Sequence, residues 1–101
     1  GATTFERELV SEATLPMFIE AVRDLGAPQV LQALETGLAE LELGLLSDEE
    51  EEALLNELRT RVLNTAKRFG KSRFAQVAAR HADEATGIPE YIMNAYQWLT
   101  E

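Results

Sequence analysis

The sequence predicts an all-α domain, a five- or six-helix bundle with a long central antiparallel helical hairpin. Apolar residues recur at helical spacing through almost every segment. No segment alternates with the period of two that a half-buried strand requires. Gly or Pro stands at most of the boundaries between one apolar stripe and the next.

Thr3 or Thr4 caps a first helix that runs through Glu6 and Arg7 to about Ala13, with Phe5, Leu9, Val10 and Ala13 on one side. Thr14-Leu15-Pro16 restarts the chain, because proline fits the first turn of a helix and not its interior. The second helix then carries Met17, Phe18, Ala21, Val22 and Leu25, and Gly26 stops it. Pro28 opens a third helix with the stripe Leu31, Leu34, Leu38, Leu41 and Leu45. Gly37 weakens it by about 1 kcal/mol relative to alanine, and Gly44 marks its end.

Ser47-Asp48-Glu49-Glu50 has the pattern of a capping box, with acidic residues where the helix macrodipole favours them. The helix it starts bears Leu54, Leu55, Leu58, Val62, Ala66 and Phe69 and stops at Gly70. Ser72 is the expected N-cap of a fifth helix with Phe74, Val77, Ala78, His81, Ala82 and Ala85, closed by Gly87. Pro89 begins the last, with Ile92, Ala95, Trp98 and Leu99 facing inward. Residues 28–70 form the long hairpin, since short connections make sequential helices pack antiparallel.

The 101 residues suit one domain, and 46% hydrophobic with 27% charged residues is an ordinary globular mixture. Gly1-Ala2, with no initiating Met, reads as a cloning remnant before a single helical domain over residues 3–101. Absence of cysteine excludes a disulfide framework and a thiolate zinc site. No apolar run approaches the roughly 20 residues that span a bilayer, and no signal-peptide pattern opens the chain, which points to the cytoplasm and away from membranes.

The net charge of −9 argues against general nucleic-acid binding, but the charge is unevenly spread. Arg59, Arg61, Lys67, Arg68, Lys71, Arg73 and Arg80 fall in a segment without a single Asp or Glu. Within it, the stretch GKSRFAQ (residues 70–76) sets Lys71 and Arg73 at a helix start just after Lys67 and Arg68 close the preceding helix. Cations beside free helix amides suit a phosphate. The same charges would also serve as a solvated corner paired with acids brought near by folding.

No nucleophile constellation is present. Ser11, Ser47 and Ser72 have no placed His–acid pair, and His81 on an apolar face reads first as a satisfied, half-buried histidine. Tyr91, Tyr96 and Trp98 suit core or lid positions before base stacking.

Three stretches together, TFERELV (4–10), GKSRFAQVAARH (70–81) and IPEYIMNAYQWL (88–99), resemble the C-terminal part of OLD-family ATP-dependent endonucleases. In that family an ABC-type ATPase precedes a Toprim nuclease domain. The resemblance implies that Glu6 helps bind a divalent metal, Mg2+ or Mn2+, and that Lys71 stands beside the scissile phosphate as a catalytic residue. Lys67, Arg68 and Arg73 would contact the nucleic acid. The partners implied are DNA and the remainder of a longer parent chain. The earlier glutamate and the Asp-x-Asp pair of a Toprim site are absent, as is the Gly-x-x-x-x-Gly-Lys-Ser/Thr motif of the ATPase. One carboxylate and one lysine cannot hold a two-metal site, so the isolated chain is expected to be inactive and to bind no cofactor. The competing expectations are a non-enzymatic interaction module or homodimer formed through residues 28–70, and a small nucleic-acid binder using residues 59–80.

Overall fold

The structure is a computed structural model that describes the backbone of residues 10–85 and the side chains of residues 10–81. Its regular structure is helical, with α1 over Leu15–Leu25, α2 over Pro28–Leu43, α3 over Asp48–Phe69 and α4 over Lys71–Ala85. No strand occurs among the described residues. The chain is therefore all-helical there, as its periodicity predicts. The helix expected from Pro89 lies outside the described residues, as does most of the one expected from Thr3.

The described end of that first helix differs from expectation, for residues 10–14 form a turn rather than helix. Ser11 and Thr14 close it. The Ser11 amide donates to Thr14 Oγ1 at 2.9 Å, and the Leu15 amide donates to the Ser11 carbonyl at 2.9 Å. Serine and threonine side chains offer nearby backbone groups an alternative to the helical ladder, and here that alternative prevails. Thr14 is fully buried and stands at the N-cap position of α1, with Pro16 in the first turn.

Although α1 has only 11 residues, it packs against each of the other three helices. Leu15, Met17, Phe18, Ile19, Ala21 and Val22 are all buried, a broad inward face opposite the exposed Arg23 and Asp24. Against α4, the Phe18 and Phe74 rings stack with centroids 6.1 Å apart and planes 17° from parallel.

The apolar stripe of α2 is narrower than its leucines suggest. Leu34 and Leu41 are buried, Leu31 and Leu38 are half-buried, and Leu45 lies beyond the helix and is 82% exposed. Gly44 ends α2 after Leu43, so Leu45 never joins the inward face. On α3 the expected positions Leu58, Val62 and Ala66 are buried, with Leu54, Leu55 and Phe69 half-buried. Thr65 joins them by donating its hydroxyl to the Arg61 carbonyl at 2.7 Å. Across the turn, Leu58 packs directly onto Gly37. A Cβ at Gly37 would lie 2.6 Å from Leu58 Cδ1, so the missing side chain is what lets α3 approach α2.

Candidate functional site

The basic corner is organised by one residue. Gly70 alone separates α3 from α4, and its φ of +96° and ψ of 124° lie where residues with a side chain are strained. Nothing stands within 4 Å of where its Cβ would be, so the demand is made by the backbone and not by space. The Gly70 carbonyl accepts the Phe74 amide at 2.9 Å, which is the first ladder bond of α4.

Gly70 therefore holds the N-cap position expected of Ser72. Ser72 falls inside the first turn of α4 and is exposed. A hydroxyl residue was not needed because the chain turns there with a conformation that glycine supplies.

This joint gathers four of the residues singled out in the sequence. Lys67 and Arg68 lie in the last turn of α3, where the macrodipole favours cations, and Lys71 and Arg73 in the first turn of α4, where it disfavours them. All four are exposed. The Arg68 guanidinium stands 5.3 Å from the centroid of the Phe69 ring, a cation–π contact that holds it over the joint.

The ion pairs among the described residues are Arg23–Glu20, Arg61–Glu57 and His81–Asp24. None involves Lys67, Arg68, Lys71 or Arg73. By contrast Arg59 reaches Asn56 Oδ1 at 2.7 Å and Arg61 reaches Glu57 at 3.3 Å, so these two are tied to their own helix. Of the seven cations of the stripe, Arg61 alone is paired with a described acid, and the four around Gly70 are set apart by converging on one joint.

Glu6 lies outside the described residues. Among those described, no group of three His, Asp or Glu side chains converges in a way that could hold a metal ion. Arg80, the last cation of the stripe, is exposed on α4.

His81 takes a place that periodicity only half indicated. It is half-buried as expected, and its Nε2 lies 2.6 Å from Asp24 Oδ2, at the other end of the described chain. No local signal in the sequence marks Asp24 as its partner, since the pair exists only because α1 packs on α4. His81 also borders an open groove of about 530 Å³ between α1 and α2, together with Glu20, Glu35 and Glu42. Glu20 is held by Arg23, whose pKa is raised, first by that hydrogen bond and then by the charge of Glu20.

No described helix is long and apolar enough to cross a membrane. No family model, no curated protein and no solved structure matches the chain.

Proposed function

We propose that the chain is the helical C-terminal portion of an OLD-like Toprim nuclease acting on DNA, a cytoplasmic endonuclease in its full-length form. Its four described helices would belong to a five- or six-helix bundle in which residues 28–70 form the long hairpin. The observation that carries this is the corner around Gly70: four exposed cations, none paired with a described acid, beside the first amides of α4. Such a corner suits a phosphodiester, whose charge both the ammonium groups and the helix amides attract.

Lys71, at the first position of α4, is the catalytic residue in this assignment. Its ammonium would steady the charge that gathers on the phosphoryl oxygens as the bond breaks. Lys67, Arg68 and Arg73 would hold the flanking phosphates, a positioning task for which exposed cations suffice. Glu6 would contribute one carboxylate to a metal site whose other ligands come from the parent chain. Mg2+ or Mn2+ there would supply Lewis acidity.

Lys71→Ala in the full-length parent should abolish DNA cleavage and leave thermal stability nearly unchanged, because an exposed charge contributes little to folding. Cleavage at the normal rate by that variant would require the catalytic assignment to be withdrawn.

A second reading, a protein-interaction or dimerisation module, is favoured by one observation. Leu43 and Leu45, where α2 gives way to α3, are 68% and 82% exposed.

A further inference from the structure

The groove between α1 and α2 has an ordered lining. Glu35, Leu38, Ala39 and Glu42 border it at positions i, i+3, i+4 and i+7 of α2, so they share one face of that helix. Across from them stands Ile19 of α1. The apolar part is therefore central on α2, and a carboxylate stands at each end, about 10 Å apart along the axis. Its volume of about 530 Å³ is that of a site that takes several side chains.

The charge of the groove is not cancelled within the described structure. Arg23 is held by Glu20, and His81 at the groove's edge is held by Asp24. Glu35 and Glu42 are exposed and make no hydrogen bond or ion pair with another described residue.

We propose that this groove docks a basic amphipathic helix of a partner protein. Its apolar stripe would lie on Leu38, Ala39 and Ile19, and Lys or Arg residues two turns apart would meet Glu35 and Glu42. A channel between two helices is a surface that a third helix fills, with anchors at i, i+3 or i+4, and i+7. The sign of the charge decides against other occupants, since carboxylates repel a nucleic acid and an anionic lipid surface alike. A second copy is disfavoured by its own packing. Its basic segment has Val62, Ala66, Phe74, Val77 and Ala78 turned into the core, so it offers cations without those apolar anchors. The inference does not depend on the nuclease assignment.

The probe is a labelled helical peptide of about 18 residues, long enough to hold some helix in water, with a leucine stripe flanked by lysines seven apart. Fluorescence anisotropy with the full chain should show saturable binding in the micromolar range, as suits a small transient interface. The same peptide with glutamate in place of lysine should not bind. Glu35→Gln with Glu42→Gln should weaken binding by about tenfold, because each exposed ion pair is worth up to about a factor of five. Glu40→Gln with Glu52→Gln removes the same charge from outside the groove and should change little, since salt screens distant charges. Glu35→Lys with Glu42→Lys should reverse the preference and bind the glutamate peptide, with helicity retained by circular dichroism.

Equal binding of the lysine and glutamate peptides would overturn the proposal. So would equal losses in the two double glutamine variants, because attraction would then be to the net charge and not to the groove. A wild-type dimer by sedimentation that Glu35→Lys with Glu42→Lys dissociates would assign the groove to a second copy and overturn it as well.

Discussion

Leu58 and Gly37 show what one contact decides. Leu58 is 2% exposed, and its methyl groups occupy the space above the bare backbone of Gly37. Leu58→Ala should cost roughly 2–5 kcal/mol, the range for a large side chain removed from a packed site. Gly37→Ala poses a harder question, because two effects oppose each other. Alanine gains about 1 kcal/mol of helix propensity, whereas forcing an atom against a buried neighbour costs about 1–3 kcal/mol. Leu58 is 2% exposed, so moving its methyl groups disturbs their own packing, and Gly37→Ala should be neutral to destabilising. In the Leu58→Ala background the clash disappears, and the same substitution should stabilise by about 1 kcal/mol. Denaturant unfolding of the four proteins measures this cycle. Simple additivity would show that Leu58 does not lean on Gly37.

Among the elements, α3 has both ends matched to its dipole. Asp48, Glu49, Glu50 and Glu51 lie in its first turn, and Lys67 and Arg68 in its last. Its capping box is complete: the Glu50 amide donates to Ser47 Oγ at 3.1 Å, and the Ser47 amide donates to Glu50 Oε1 at 3.0 Å. The Ser47 amide, and after it the Ser47 hydroxyl, hold the Glu50 carboxyl below the ordinary glutamate range. A carboxylate whose folded pKa is depressed stabilises the fold above its unfolded pKa, and that contribution is lost as pH falls through the folded value. The gap in melting temperature between wild type and Glu50→Gln should therefore be small but present at neutral pH and close in acid. A gap of constant size across that titration would show that the charge on Glu50 contributes nothing at this cap. At the other end of α3, Gly70 lets α4 begin after a single residue, and this shortness is what brings Lys67 and Arg68 close to Lys71 and Arg73.

At the scale of the whole molecule, α1 packs on every other described helix while the longer α2 and α3 keep much of their surface in water. Among the described residues, Leu43 and Leu45 are the large apolar side chains left most open by this arrangement. With a net charge of −9 and two such side chains on one corner, self-association is set by whether that small patch outweighs general repulsion. A patch of two leucines is well below the area of a stable interface, so the protein should sediment as a monomer at micromolar concentration. A dimer that Leu45→Glu dissociates without loss of helicity would instead support the interaction-module reading.

Local chemistry was enough to determine much of this protein. Apolar spacing, the prolines at positions 16 and 28, the glycines at 26, 44 and 70 and the Ser47–Glu50 box each act within a few residues, and the helices form where those signals stand. The unpaired character of the Gly70 corner follows in part from the same source, because its segment contains no acid to pair with. The turn at residues 10–14 is not legible in the sequence, because Ser11 and Thr14 bond to each other, a choice that periodicity does not register. Other features were decided only by packing. The reach of α1 to every other helix, the closeness of Leu58 to Gly37, the His81–Asp24 pair across 57 positions and the groove between α1 and α2 all depend on which helix faces lie together. A helical stripe states that a face will be buried. It does not state against what, because apolar burial is non-directional and the partner is chosen by shape once several stripes compete for the same core.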